Sequence, residues 1–303
     1  MSAPKRIGII GAGLMGHGIA QVFACAGHEV RVHDPDPAAR ATLTERIAHN
    51  LEALGRSTAA LAQVRATTTA AEAVAAADFV FEAGPENLDL KRRIFAEVER
   101  SAPAAAIFAS NTSVIPITDI MRDLARRGRA LGSHWWNPPY LVPLVEVVRT
   151  EWTGDEALAA TIELLAAVGK TPVAVARDVP GFVGNRLQHA LWREAIALVA
   201  NGVCDARTVD TVVKASFGRR LAVLGPLENA DLVGLDLTAA IHAIVLPDLD
   251  RATGPSPLLE ALIASGRLGM KSGEGFRAWS AQEQSELRAR LLAHLRALND
   301  AGI

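Results

Sequence analysis

Cysteine is scarce in this sequence, and long apolar runs are absent. The 303 residues include only two cysteines, Cys25 and Cys204, each in an apolar helical setting. Two isolated thiols argue against a disulfide framework and fit a reducing compartment. No apolar run is long enough to span a bilayer, and the N-terminus leads into a strand and not into the apolar core of a signal peptide. We expect a cytoplasmic protein with no membrane partner.

Clusters of like charge are also lacking. The chain has 31 Lys and Arg against 33 Asp and Glu, which gives a formal net charge of −2. Without a basic block there is no electrostatic footprint for nucleic acid, so we expect no nucleic-acid partner, and we expect no metal. Hydrophobic residues make up 50% of the chain, which is enough apolar material for about two domains.

Short β-branched runs alternate with helical stretches in the first half. The predicted strands are KRIGII (5–10), EVRVH (29–33), DFVFE (78–82), AIFA (106–109), RALGS (129–133), LVEVV (144–148) and PVAVA (172–176). Helical segments such as 14–26 and 155–168 lie between them, and each ends at a glycine. The alternation predicts an α/β fold with a Rossmann-type, doubly wound and mostly parallel sheet.

The pattern changes near residue 179. From DVPGFVGNRLQ (178–188) onward nearly every segment has helical period, and no convincing strand follows. We therefore predict two domains, a Rossmann-like domain over residues 1–178 and an all-α domain over residues 179–303.

A glycine-rich segment joins the first strand to the first helix. IGIIGAGLMGHGIAQ (7–21) contains Gly11, Gly13 and Gly16 in a GxGxxG pattern, which allows a tight turn and a close approach to a pyrophosphate at the helix N-terminus. The pattern alone is weak, but strand and helix flank it, and Asp34 ends the second strand about twenty residues later. A carboxylate there would bind a ribose 2′-hydroxyl and repel a 2′-phosphate. The segment predicts NAD as the cofactor.

A histidine and a glutamate flank a proline-rich turn in SHWWNPPYLVPLVEVV (133–148). Proline stops a central strand, so Asn137-Pro138-Pro139 predicts a turn between two strands. Tyr140 is the midpoint between His134 and Glu146, which places the two side chains near each other. A carboxylate beside an imidazole fixes its tautomer and stabilises its protonated form, as a base for an alcohol proton requires. A buried ion pair that only ties two strands fits the spacing equally well.

Six motifs are spread over nearly the whole chain. They are GAGLMGHGIA (11–20), PENLDLK (85–91), SNTS (110–113), HWWNPP (134–139) with Glu146, PGFVGNR (180–186) and KSGEGF (271–276). Their order and spacing resemble the L-3-hydroxyacyl-CoA dehydrogenase family. The resemblance implies an NAD-dependent dehydrogenase that acts on a CH–OH group, in which His134 is the general acid/base and Glu146 is its partner.

The resemblance also implies the cofactor contacts. It assigns them to the glycine-rich turn, including Leu14 and Met15, and to Glu86, Lys91 and Lys271. From the residue types alone, Glu86 and Lys91 would instead be a solvated charge pair at the start of a helix.

Three further residues are assigned to the reacting groups by the same resemblance. Ser113 would contact both cofactor and substrate oxygen, although serine there also fits a helix N-cap. Asn137 would lie beside the nicotinamide and the reacting oxygen, although Asn before Pro is ordinary turn chemistry. Asn185 would bind substrate from the second domain. The family's second domain forms the dimer, so the resemblance implies a homodimer.

The sequence departs from the acyl-CoA enzymes between Asp34 and Asp78. This segment is shorter than theirs and contains no lysine; its basic residues after Thr42 are Arg46, Arg56 and Arg65. A lysine-rich clasp for CoA is therefore not expected.

The segment SFGRRLAVLGPLE (216–228) resembles the branch of the family that acts on free acids. That branch includes L-gulonate 3-dehydrogenase (lambda-crystallin), L-carnitine dehydrogenase and the pyridine-carboxylate 5-dehydrogenase of vitamin B6 breakdown. Arg220 lies where the first two carry arginine, and its guanidinium fork suits a substrate carboxylate. A surface arginine beside Arg219 is the other interpretation.

The expected substrate is thus a small hydroxy acid, either free or as a hydroxyacyl-CoA. A true 3-hydroxyacyl-CoA dehydrogenase and a non-catalytic, crystallin-like structural protein are the alternatives. The intact set of His134, Glu146, Ser113 and Asn137 argues against loss of catalysis.

Overall fold

A single eight-stranded sheet organises the first of two compact units. The computed structural model describes residues 3–301 and divides at Arg186, whereas the domain boundary after residue 178 stays a prediction. The strands are β1 (Arg6–Ile10), β2 (Glu29–His33), β3 (Val64–Thr67), β4 (Phe79–Glu82), β5 (Ile107–Ser110), β6 (Ala130–Trp135), β7 (Leu144–Val148) and β8 (Thr171–Val175). Their order is β3-β2-β1-β4-β5-β6-β7-β8, and every neighbouring pair is parallel except β6 and β7. The doubly wound sheet is confirmed.

Helices connect most of these strands, and one leads out of the unit. They are α1 (Leu14–Cys25), α2 (Pro37–Ala41), α3 (Leu43–Ala53), α4 (Ala70–Val74), α5 (Leu88–Ser101), α6 (Ile117–Met121), α7 (Asp155–Ala167) and α8 (Gly184–Ala200). Local signals explain several of their starts. Asp36 caps α2 ahead of a proline, Thr69 and Glu72 form a capping box on α4, and Asn87 caps α5.

Apolar side chains cover both faces of the sheet. On one face Phe23 of α1 packs against Phe81 and Trp135, and on the other Phe95 of α5 packs against Phe108. Each fully buried side chain of this size contributes roughly 1.5–3 kcal/mol of hydrophobic free energy. The packed sheet fixes the carboxyl ends of β1, β4, β5 and β6, where the candidate site lies.

The second unit, from Leu187, is helical. Beyond the rest of α8 it contains α9 (Ala206–Ala215), α10 (Pro226–Val233), α11 (Leu235–Val245), α12 (Pro257–Ala264) and α13 (Ala281–Ala301). Isolated bridges at Gly269, Glu274 and Ala278 are its only β-pairings within the described chain, which confirms the helical C-terminal prediction. Across residues 3–301, no helix combines the length and apolar character needed to cross a bilayer.

Candidate active site

The glycine-rich turn leaves its backbone open to a ligand. Gly11 has a φ of +107°, which favours glycine. A Cβ on Gly16 would lie 1.8 Å from the Gly11 carbonyl oxygen, so helix α1 can approach the turn this closely only with glycine at position 16. A Cβ on Gly13 would meet nothing within 4 Å. Leu14 is exposed beside it, while Met15 packs partly against the core. An uncovered backbone at a helix N-terminus fits the pyrophosphate of NAD.

Asp34 lies directly beside this turn, at the end of β2. Its Oδ2 accepts a hydrogen bond from Ala12 N–H at 2.7 Å, and its Oδ1 accepts one from Asp36 N–H at 2.9 Å. These bonds fix the carboxylate but leave lone pairs on both oxygens, because each carboxylate oxygen can accept about two hydrogen bonds. The carboxylate can therefore also accept ribose hydroxyls.

Asp34 should make the protein prefer NAD to NADP. At equal concentrations we expect NAD to raise the melting temperature more than NADP, because a 2′-phosphate would be placed near a fixed carboxylate. Thermal shift measures this directly, and Asp34→Asn should narrow the difference between the two cofactors. A larger shift with NADP on the unmodified protein would contradict the assignment.

Lys91 lies in the interior of the first unit, with no exposed surface. Its Nζ donates to both carboxylate oxygens of Glu82, at 2.8 and 3.0 Å, and to the Gly84 carbonyl at 3.2 Å. Glu86 Oε2 is 3.5 Å from the same ammonium. A solvated charge pair is therefore excluded, and the three donors of Lys91 already have acceptors within the protein.

Glu82 was not among the predicted site residues. It is fully buried, and besides Lys91 it accepts hydrogen bonds from the Ser110 hydroxyl and the Gly84 N–H, both at 2.7 Å. The sequence did carry a signal: an acid ends FVFE, a strand whose residues are all apolar before it, and a buried acid requires partners. Glu82 joins the ends of β4 and β5 and holds Lys91 in place.

Glu86 fixes the loop that follows β5. Its Oε1 accepts hydrogen bonds from the Thr112 hydroxyl and from the N–H groups of Ser113 and Val114, at 2.9 and 3.1 Å for the two amides. Burial raises the pKa of Glu86, but the Thr112 hydroxyl, the Lys91 cation and the two amides together lower it below its usual value. The ionised carboxylate thus holds the backbone that presents Ser113.

Two predicted contact residues have uncommitted polar groups. The Ser113 hydroxyl and the Asn137 amide have no hydrogen-bond partner within residues 3–301, and both residues are exposed. Asn185 donates from Nδ2 to the Ser113 carbonyl at 2.8 Å. Ser113 is not a helix N-cap, since α6 begins at Ile117 after Pro116. The two free side chains are available to a ligand.

The structure brings His134 and Glu146 together on adjacent strands. They are directly opposite in the antiparallel pairing of β6 and β7, and His134 Nδ1 is 2.8 Å from Glu146 Oε2. The other carboxylate oxygen, Oε1, accepts from the N–H groups of Val183 and Gly184 at 2.9 and 3.0 Å. Both side chains are buried.

This arrangement sets the protonation of the pair. Burial raises the pKa of Glu146, but the hydrogen bond from His134 and the amides of Gly184 and Val183 lower it below its usual value. An ionised carboxylate only accepts, so in the neutral imidazole Nδ1 carries the proton and Nε2 has the free lone pair. The rings of Trp136 and Phe182 lie 5.3 and 5.6 Å from the imidazole. The pair can accept a proton at Nε2.

The remaining predicted residues, Arg220 and Lys271, belong to the second unit. Arg220 follows the short 3-10 turn Phe217–Arg219. Both side chains are exposed, and neither makes a hydrogen bond or ion pair within the described part of the chain. Arg219 is likewise exposed and unpaired. Their roles stay predictions.

Comparison with known proteins identifies relatives over the whole length. Residues 6–179 match the NAD-binding domain of 3-hydroxyacyl-CoA dehydrogenase, and residues 181–279 match its C-terminal domain. The chain is 36% identical to 5-formyl-3-hydroxy-2-methylpyridine 4-carboxylate 5-dehydrogenase of Mesorhizobium japonicum, with 94% of each chain covered. It is 39% identical to L-carnitine dehydrogenase of Streptomyces griseus, with 86% of this chain and 81% of the relative covered.

Solved structures are similar over the same extent. A crystal structure of 5-formyl-3-hydroxy-2-methylpyridine 4-carboxylic acid 5-dehydrogenase, described as an NAD⁺-dependent dismutase, has a TM-score of 0.90, 34% identity and 98% coverage of both chains. FadB2 of M. tuberculosis has a TM-score of 0.77 and 37% identity, covering 92% of this chain and 100% of its own. The chain belongs to the 3-hydroxyacyl-CoA dehydrogenase family and is an NAD-dependent dehydrogenase that acts on a CH–OH group.

Proposed function

We propose that the protein oxidises or reduces a small hydroxy acid with a free carboxylate, and that His134 is its general acid/base. The observation that carries the acid/base role is the buried His134–Glu146 contact at 2.8 Å, which leaves Nε2 free. An ion pair that only tied two strands would have no need of a free imidazole nitrogen, and the Ser113 hydroxyl and the Asn137 amide are likewise without partners among the described residues. The same set argues against a crystallin-like protein without activity.

In the oxidative direction, Nε2 of His134 accepts the substrate hydroxyl proton. Glu146 stabilises the imidazolium that results, since its carboxylate is already ionised and fixed by two amides. The Ser113 hydroxyl and the Asn137 amide hold the reacting oxygen, whose charge changes during the step. NAD, when bound at the glycine-rich turn, would accept the hydride that leaves the carbon bearing this hydroxyl. Reduction of the ketone follows the same path in reverse, with His134 as the proton donor.

The segment that would clasp CoA supports a free acid. It contains no lysine, and the guanidinium of Arg46 is turned back onto its own segment, donating to the carbonyls of Ala39 at 2.8 Å and Thr42 at 3.3 Å. Arg56, in the loop after α3, and Arg65, in β3, are exposed. The guanidinium of Arg46 is thus occupied by backbone carbonyls, and the segment offers no lysine to the phosphates of CoA.

A CoA ester is the second candidate. A probable 3-hydroxybutyryl-CoA dehydrogenase of Deinococcus radiodurans is 38% identical to this chain, with 89% of this chain and 99% of the relative covered. The two relatives described above are instead named for acids, a pyridine carboxylate and carnitine. The names of relatives thus include both substrate classes, and the lysine-free segment between Asp34 and Asp78 favours the acid.

A substrate panel decides between them. Purified protein with NAD should produce NADH, followed by its absorbance, with free hydroxy acids that include hydroxymethylpyridine carboxylates and L-carnitine. The matched arm offers 3-hydroxybutyryl-CoA. We expect the kcat/KM for the best free hydroxy acid to be at least about tenfold above that for 3-hydroxybutyryl-CoA, because one charge-assisted contact with a substrate carboxylate contributes a difference of this size. Turnover confined to the CoA ester would contradict the free-acid assignment, and no turnover in either arm would contradict the function.

We also propose a cytoplasmic homodimer formed through the second unit. Within residues 187–301, Leu262 is the one large apolar side chain that is buried. Many others are exposed, among them Val223, Leu227, Leu232 and Ile244. An apolar surface of this extent is typical of an obligate interface. Sedimentation should give twice the monomer mass, and a monomer at micromolar concentration would contradict the dimer. The free thiols Cys25 and Cys204 support the reducing location.

A further inference from the structure

Lys170, between α7 and β8, is a partly buried cation with no carboxylate partner among the described residues. Its Nζ donates to the Val142 carbonyl at 3.0 Å and to the Pro139 carbonyl. The same ammonium lies 5.5 Å from the ring centroid of Trp135. One side chain therefore binds the middle and the last residue of the turn 137–142 between β6 and β7, and it also contacts the strand residue that follows His134.

This placement of a cation is unfavourable in itself. Burial, together with the nearby cation of Arg56, lowers the pKa of Lys170 from 10.5 to about 8. A buried charge persists in a protein when it is hydrogen-bonded or paired, and here carbonyl dipoles and an aromatic face take the place of a carboxylate. An apolar side chain such as methionine would fill the same space without the unfavourable desolvation, so the charge has a function beyond packing.

The turn that Lys170 holds carries part of the reacting site. Asn137 begins the turn, three residues after His134. Neutral contacts also hold the turn: the Tyr140 hydroxyl donates to Asn50 Oδ1 at 3.2 Å, and Pro139 packs on α1, where a Cβ on Gly18 would lie 2.6 Å from it. Lys170 adds a charged donor to these contacts.

We propose that Lys170 is a positioning residue for the dehydrogenase reaction. Its ammonium holds the turn 137–142 so that the Asn137 amide stays in reach of the oxygen that His134 protonates or deprotonates. The inference rests on the proposed function, since it assigns Lys170 to the same reacting oxygen. Lys170 acts through the backbone of the turn and contacts neither substrate nor cofactor.

The first test compares Lys170→Met with Lys214→Met, a control at an exposed lysine. In Lys170→Met, hydrogen exchange at the backbone amides of residues 137–142 should rise. The value of kcat should fall by about ten to a hundredfold, and the NAD dissociation constant should stay unchanged. Unchanged exchange in the turn would overturn the proposal whether or not a substrate has been found. Raised exchange with full kcat would also overturn the proposal, because Lys170 would then stabilise the turn without affecting the reaction. Wild-type protein that turns over no substrate contradicts the proposed function and with it the positioning role, whereas unchanged exchange contradicts the positioning role alone.

The second test does not disturb the buried side chain. Arg56 is the charged group that acts on Lys170, and it is exposed and outside the site. Below pH about 8 the ammonium is charged and holds the turn; above it the neutral amine binds the carbonyls less strongly. Turnover should therefore fall above pH about 8 in the wild type, and Arg56→Gln should move this alkaline limb to higher pH. An alkaline limb that is absent, or that Arg56→Gln leaves in place, would overturn the proposal.

Discussion

Replacing His134 by alanine should abolish measurable turnover while the affinity for NAD stays at the wild-type level. In the proposed mechanism the imidazole acts on the substrate hydroxyl, whereas the predicted site for the adenosine half of the cofactor is the glycine-rich turn and Asp34. Loss of a general base costs about 10²–10⁴ in rate. Steady-state NADH formation gives the rate, and titration of protein fluorescence with NAD gives the affinity.

His49→Ala is the matched control, because His49 is an exposed histidine on α3. It should leave both quantities unchanged. Glu146→Gln should lower turnover less than His134→Ala and shift the acidic limb of the oxidative pH profile to lower pH, since an amide stabilises the imidazolium less than a carboxylate does. Full activity of His134→Ala would refute the acid/base assignment, whatever its effect on stability.

Arg220→Met should raise the Michaelis constant for the true substrate by between about ten and a hundredfold. The expectation follows from a charge-assisted bidentate contact with a substrate carboxylate, which is worth roughly 1.5–3 kcal/mol. If the substrate is an acyl-CoA, held through its nucleotide and pantetheine, the same change should have almost no effect. Steady-state kinetics on the best hydroxy acid and on acetoacetyl-CoA separate the two cases.

Arg219→Met is the control for charge and surface, because Arg219 is equally exposed and unpaired. It should leave the Michaelis constant unchanged. A loss seen only with Arg219→Met would transfer the carboxylate contact to that residue. Efficient reduction of acetoacetyl-CoA by both the wild type and Arg220→Met would place the protein with the acyl-CoA enzymes.

Local sequence patterns predicted seven of the eight strands of the sheet. The seven predicted strands correspond to strands of the sheet, but β3 (Val64–Thr67) was missed. Its sequence, VRAT, is short and has only Thr67 buried, so it shows neither an apolar run nor a clear alternation. Edge strands of this kind are formed by pairing with a neighbour, and pairing is not visible in local sequence.

Some contacts of the candidate site could be predicted from sequence spacing, and others could not. Equal spacing about Tyr140 was enough to place His134 near Glu146, because an antiparallel return makes such positions neighbours. Sequence spacing could not show that Lys91 would be buried against Glu82, since that contact joins β4 to α5 through three-dimensional packing. Sequence spacing also could not show that Lys170 binds the turn 137–142, because Lys170 follows Pro139 by 31 residues along the chain.

The second carboxylate oxygen of Glu146 limits how segments can be exchanged between homologous enzymes. Backbone at Gly181 and Phe182 has positive φ, +76° and +51°, and this path aims the Val183 and Gly184 amides at that oxygen. A transplanted segment that turned the amides away would leave a buried oxygen without donors, and burial would then raise the pKa of Glu146. A protonated Glu146 could donate to Nδ1 of His134, and the imidazole would then carry its proton on Nε2 and could not accept one there. Chimeric enzymes therefore need residues 181–184 and position 146 from the same parent.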